Sequence, residues 1–278
     1  MRVRKRYLPP GWYPGTASQT RDAIEEMARA FPAGQPCGIS GIVPHAGWEY
    51  SGSLALEVLS RLSRDIDTIV IIGGHLGPAD GILCAFDDAY ETPLGPISAD
   101  LPLLEELRGV LALQEDRYAD NTVEIQLPFL RHLFPNARAL GMRAPPSHDA
   151  EKLGKAIDAS ARRLARRVVV VGSTDLTHYG ANYGFLPSGT GEKAVKWVRE
   201  INDRRFIESM LSMNADSALD RALHERSSCS AGGAVAAMSF ARERGAKEGM
   251  LVRYMTSHEV HPAESFVGYA GILYSAGA

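Results

Sequence analysis

Cysteine is scarce in this chain. It occurs only as Cys37, Cys84 and Cys229, an odd number with none of the short paired spacings of a metal knuckle. A disulfide-stapled secreted fold is therefore excluded, and a reduced, cytoplasmic setting is expected. Apolar runs long enough to span a bilayer are missing, so no membrane insertion is expected. The basic start, MRVRKRY, runs into Leu8-Pro9-Pro10-Gly11 instead of an apolar stretch and is not expected to act as a secretory signal. Charge excess is lacking too: a formal net charge of -3 gives no electrostatic case for nucleic acid or an anionic membrane. No internal repeat, low-complexity tract or linker interrupts the chain, so a single domain over residues 1–278 is expected.

What is present is an ordinary globular balance, 45% hydrophobic and 23% charged, arranged as alternating strand and helix patterns. The stretch Thr68 to His75, TIVIIGGH, organises the rest. Its unbroken apolar run fits a strand covered on both faces, and Gly73-Gly74 let the chain leave it sharply. His75 then lands at the carboxyl end of a central strand, where open α/β sheets bind their ligands. The same design recurs at Gly38 to Val43, which runs into Pro44-His45, and at Val168 to Val171, which runs through Asp175 to His178. These three strands are expected to deliver their side chains to one crevice, with His45 and His75 following adjacent strands.

Helical spacing predicts helices near Thr20–Phe31 (broken by PAGQP), Leu54–Leu62, Leu101–Leu107, Asn121–Phe134, Asp149–Leu164, Glu192–Met213, Ser217–Glu225 and Ala231–Arg242. Further strands are predicted at Val110–Leu113, Ala137–Met142, Met250–Thr256 and Phe266–Tyr274, with a hairpin-like excursion over 76–100. The alternation predicts an α/β fold, a three-layer α/β/α sandwich with a mostly parallel central sheet.

Several residues invite chemistry. His45 and His75 alone each fit a capping or core histidine; together at strand ends they suit metal ligation, for which neutral imidazole is the commonest donor. Asp175 and His178, three apart, would share one face if a helix began there, the carboxylate orienting the imidazole for proton transfer; an N-cap role explains the aspartate equally well. Cys229, in SSCSAGG before a helix, is expected to have a lowered pKa as a thiolate ligand or nucleophile, against the alternative of a buried small hydrophobe, which suits Cys37 and Cys84 better. Asn121 and Glu124 have the offset of a capping box, with a supporting role behind the site as the alternative. His258 and His261 read as exposed loop histidines or a ligand pair, and His132, His148 and His224 as surface positions without clustered partners. Trp12, Trp48, Tyr50 and Tyr183 would supply an aromatic wall for a substrate or peptide.

The ordered motifs GWYPG, IVPHAGWEYSG, IIGGH, TPLG, NTVEIQLPFL, STDLTHYG, Cys229 and SFVGYAGI resemble the Memo family, the protein B component of AmmeMemoRadiSam systems, which shares the fold of LigB-type extradiol dioxygenases. The resemblance spans nearly the full length. It implies a LigB/Memo-like α/β/α fold and a metal held by His45, His75 and Cys229, with Asp175 and His178 beside it. It also implies a metal-dependent redox activity of dioxygenase type, with iron or copper as cofactor and zinc admissible. Cysteine in place of the dioxygenases' carboxylate is a softer ligand. The chain departs from the pattern at Gly74, where serine is common, at Asn121, where histidine is common, and in the SAGG after Cys229. Two other functions fit the same residues. One is a peptide- or partner-binding module, with AmmeMemoRadiSam proteins among the partners; the other is a zinc hydrolase. A homo-oligomer is compatible with the sequence and not required by it.

Overall fold

The computed structural model describes every residue except Ala33, Pro36 and Ala278; part of the helix-breaking PAGQP segment lies outside the described residues. Among the described residues, nine strands form the main sheet: β1 (Gly38–Val43), β2 (Thr68–Gly73), β3 (Ile82–Cys84), β4 (Leu113–Glu115), β5 (Arg138–Arg143), β6 (Val168–Ser173), β7 (His178–Tyr179), β8 (Met250–Thr256) and β9 (Phe266–Ser275). Their order is β7-β9-β1-β6-β2-β5-β3-β4, with β8 also paired to β9. The central four, β1, β6, β2 and β5, are parallel. Antiparallel pairing begins only at β9 and β3.

Alternation along the strands explains the layers. In β6, Val168 and Val170 enter one core with the helices Leu101–Arg108, His148–Arg163 and Ala231–Glu243, whereas Val169 and Val171 enter the other. That second core holds Ile24, Leu56, Leu59 and Phe129, from the helices Ala17–Ala28, Ser53–Ser60 and Leu127–Leu133. A sheet buried on both faces needs such near-continuous apolar strands. The expected α/β/α sandwich forms, around a mixed sheet whose central four strands are parallel and whose flanks bring in antiparallel pairs.

Five expectations change in detail. β1 and β2 are not neighbours, because β6 lies between them. The 76–100 excursion divides: β3 joins the main sheet, whereas Ala89–Tyr90 and Ile97–Ser98 form a hairpin that Val3–Arg4 extends to three strands. The helix expected over 121–134 breaks at Ile125-Gln126, and that over 192–213 passes through a π-helical segment, Val198–Asn202. His258 lies on a short helix, Ser257–Val260, capped reciprocally by Thr256 and Glu259.

One close approach positions the site. The helix Ala231–Glu243 lies directly on strand backbone: a Cβ at Gly233 would sit 2.2 Å from the Ile72 carbonyl oxygen, and one at Gly232 2.3 Å from that of Ala144. Gly172 of β6 returns the contact, its Cβ position 2.7 Å from the Gly233 carbonyl oxygen. The small residues of GGAVAA therefore let the helix reach the sheet, and Cys229 comes with it. Gly233→Val should destabilise the fold by at least about 1–3 kcal/mol, the usual cost of overpacking. Urea unfolding measures this, and an unchanged midpoint would show that the helix can be moved off the sheet without penalty.

Candidate metal centre

Each of three parallel strands places a functional residue two positions beyond its last residue: His45 after Val43, His75 after Gly73 and Asp175 after Ser173. All three line one open crevice of about 660 Å³ at the strand carboxyl ends. The His45 and His75 rings meet edge to face, their centroids 5.1 Å apart. From the far side of the chain, Cys229 brings its Sγ to 3.2 Å from His45 Nε2. One donor atom from each of His45, His75 and Cys229 lies within 4.8 Å of the other two.

The backbone around His45 is clamped from several sides. Its N–H donates to Asp175 Oδ1 at 2.7 Å, and its carbonyl accepts from Asn121 Nδ2 at 3.0 Å. The Pro44 carbonyl accepts from Gln126 Nε2 at 2.7 Å, and His45 Nδ1 lies 3.3 Å from Ser173 Oγ. Cys229 is seated by its own N–H donating to the Asp175 carbonyl, while the Ser230 N–H donates to Thr174 Oγ1. One segment, Ser173–Asp175, thus holds both ligands.

Burial, and secondarily the charge of His75, pushes the His45 pKa down to about 3, so its ring is neutral and keeps a lone pair at physiological pH. Burial followed by the Asp175 charge drives the Cys229 thiol upward. The expected acidification by the following helix is therefore overturned, because desolvation outweighs the helix end. A thiolate here needs a cation beside it, which a bound metal supplies. Two imidazoles and a cysteine sulfur, converging in a crevice whose described lining holds no lysine or arginine, fit a transition-metal centre.

The Asp175–His178 pair differs from expectation. Residues 174–177 carry no regular structure between β6 and β7 and do not start a helix. The His178 ring is oriented by the Leu176 carbonyl, 3.0 Å from its Nδ1, and Asp175 is spent on the His45 amide. Burial raises Asp175 to about 6 and lowers His178, while the Asp175 charge opposes the latter shift. His178 still faces the crevice, edge-on to Tyr183 at 5.0 Å.

Of the expected aromatic wall, Trp12, Tyr50 and Tyr183 line the crevice. Trp48 does not: it is buried, stacked on Phe129 at 3.9 Å, with its indole N–H on the Ile125 carbonyl. Asn121 and Glu124 form no capping box. Asp120 is the cap, accepting from the Thr122 N–H, whereas Glu124 ties down the N-terminal coil by accepting from the N–H groups of Tyr7 and Leu8 and from the Tyr13 hydroxyl. His261 reaches the rim, paired with Glu49 at 2.7 Å, but His258 bonds to the Ala263 backbone. His148 is not isolated, since it lies with Glu151 and Asp216 in an exposed cluster where Arg242 already pairs with Glu151.

Sequence reading missed two contributors. Tyr269 lines the crevice from inside β9, hidden in an apolar strand pattern. Asp120 lies 3.3 Å from His75 Nδ1, and its place directly before NTVEIQ was the only signal.

The scaffold and its donor set define a class: α/β/α proteins with a two-histidine, one-cysteine metal-type centre at the strand ends. The chain belongs to the family described as Memo-like protein, whose profile matches residues 5–273. It is 32% identical over 251 residues to a MEMO1 family protein of Thermococcus onnurineus (strain NA1), covering 84% of this chain and 86% of that protein. It is 29% identical over 279 residues to a MEMO1 family protein of Methanococcoides burtonii, covering 98% and 99%. A solved structure, the uncharacterized protein JW3007 from Escherichia coli K12, aligns with a TM-score of 0.48 at 11% identity, over 86% of this chain and 99% of that one. At that distance it says nothing about the site. Among the described residues no helix is long and apolar enough to cross a membrane.

Behind the crevice, buried Asp203 accepts from the Thr177 N–H at 3.0 Å and from the Tyr254 hydroxyl at 2.8 Å, bracing the segment that carries His178. Burial outweighs these bonds and raises its pKa from 3.8 to about 7. Folding therefore strengthens its hold on the proton, a stabilisation complete below the ordinary value of 3.8 and lost as pH rises through about 7. Relative to wild type, Asp203→Asn should gain stability progressively between about pH 4 and about pH 8 and then level off. Urea unfolding across that range tests it, and a constant difference would show that Asp203 ionises normally in the fold.

Proposed function

We propose that this protein is a metal-dependent redox protein of the non-haem dioxygenase type, with a single iron or copper held by His45, His75 and Cys229. The convergence of these three donors within 4.8 Å, from positions so far apart in sequence, carries this reading. When bound, iron or copper would supply the redox chemistry of the centre.

The surrounding residues would bind and prepare the substrate. Trp12, Tyr50, Tyr183 and Tyr269 surround the donors with ring faces and hydroxyls suited to a small aromatic compound. His178, held neutral by burial, would accept the proton of a phenolic or similarly acidic group, and the buried Asp175 charge would steady the imidazolium so formed. Among the described residues lining the crevice there is no lysine or arginine. A phosphate-bearing peptide would find no fixed cation there, which places a peptide-binding role second. The same donors suit zinc and a hydrolase, a reading separated by redox-silent metal and ester turnover. Cys37, Cys84 and Cys229 are all free thiols, in keeping with a reducing compartment such as the cytoplasm, where we place the protein.

His45→Ala and His75→Ala should each abolish stoichiometric metal in protein purified without a polyhistidine tag, with the fold retained. Metal analysis together with oxygen uptake on a catechol panel after anaerobic iron loading provides the check. Undiminished iron or copper in both variants would eliminate the centre, and zinc with esterase turnover would replace the redox reading by the hydrolytic one.

A further inference from the structure

A buried line of alternating charges runs from the N-terminal strand to His75. Arg4 donates from Nη1 to the Asp116 carbonyl at 2.5 Å and lies 3.1 Å from its carboxylate through Nη2. Arg143 grips the same carboxylate in a two-pronged fork, Nε at 3.0 Å and Nη2 at 2.6 Å, and extends Nη1 to Asp120 Oδ2 at 3.3 Å. That Asp120 oxygen also lies 3.3 Å from His75 Nδ1, while the other accepts from the Thr122 N–H and hydroxyl. The side chains of Asp116, Arg143 and Asp120 are each less than a tenth exposed, whereas His75 opens to the crevice.

We propose that Arg4, Asp116, Arg143 and Asp120 form a positioning chain that holds His75 in its Nδ1–H form and so leaves Nε2 as the nitrogen free for metal. This rests on the metal-centre reading above and adds what sets the ligand's tautomer. A carboxylate behind a ligating imidazole fixes both the ring orientation and which nitrogen carries the proton. Asp120 is fixed in place by the Thr122 N–H and hydroxyl on one oxygen and by Arg143 on the other, the oxygen that faces His75. Arg143 has the right chemistry for the middle of the chain, because a guanidinium can fork onto one carboxylate and still offer an N–H to a second, which an ammonium cannot match. Buried ion pairs of this kind add little net stability, so their worth lies in the geometry they impose.

The neighbouring backbone is built around the chain. Gly74 has a φ of +113°, and a Cβ there would sit 2.6 Å from the Arg143 Cβ. Glycine in place of the serine that the family resemblance suggests is what this close approach of Arg143 requires. The chain also joins the extreme N-terminal strand to the crevice, since Arg4 sits in the strand paired with Ala89–Tyr90.

Asp120→Ser separates positioning from simple structure. Serine caps the helix start as well as aspartate does, but is too short to reach His75. Nitrogen-15 shifts of the His75 ring, read on metal-free protein, should show Nδ1–H in wild type and a majority of Nε2–H in Asp120→Ser. Cobalt(II), titrated through its visible absorption, should bind Asp120→Ser about 10–100-fold more weakly, the usual cost of losing such a partner. Arg143→Lys, which keeps the charge without the fork, should fall between the two in both readouts, and serves if Asp120→Ser does not fold. An Nε2–H ring in wild type, or an unchanged tautomer and affinity in both variants, would overturn the positioning chain. Failure of wild type to take up cobalt would instead remove the metal centre, while the ring tautomers would still decide the role of Asp120.

Discussion

Cys229 meets His45 only because the helix that follows it rests on bare backbone. Gly172, Gly232 and Gly233 remove the side chains that would otherwise separate helix from strands, and each would collide with a carbonyl or main-chain atom if enlarged. Packing at such distances is stiff, because a core at crystalline density transmits displacement instead of absorbing it. A shift of an ångström at Gly233 would therefore be felt at the Sγ–Nε2 contact of 3.2 Å. The sheet supplies the other half of the geometry, with three parallel strands each releasing a side chain at the same step past their ends.

Around that frame the charges are sorted. Burial keeps His45 and His178 neutral and Cys229 protonated in the absence of a cation. Carboxylates stand on both sides, Asp175 beside His45 and Asp120 beside His75. Arg143 reaches Asp120 from behind the wall while it grips Asp116, and Arg4 turns to Asp116 as well. Among the described residues lining the crevice, the imidazoles and the Asp175 carboxylate meet no lysine or arginine, an electrostatic setting that favours a positive ion over an anionic ligand.

Much of this was legible in the chain. The apolar runs ending in Gly-Gly-His and Pro-His predicted strand ends carrying ligands, and the alternation of strand and helix predicted the sandwich. Helical spacing after Cys229 predicted the helix that follows it. Other features were not local and could not be read. That β6 divides β1 from β2 is a matter of topology, which hydrophobic period cannot report. Trp48 carries the aromatic signature of a binding wall, yet the π-helical turn at Trp48–Gly52 sends its ring inward to Phe129 while Tyr50 faces the crevice. The expected acidity of Cys229 rested on the helix end, and the burial weighed as its alternative is what dominates.

The sequence by itself determined which side chains stand at strand ends, because a strand followed by glycine or proline stops where its own backbone preferences stop it. It determined the class of fold for the same reason, through the two periods of strand and helix. Only the tertiary structure decided which of those ends face one another, that Asp120 stands behind His75, and that Asp175 bonds the His45 amide in preference to the His178 ring. Those outcomes depend on distances between segments remote along the chain, and packing sets such distances only once both cores have closed on the sheet.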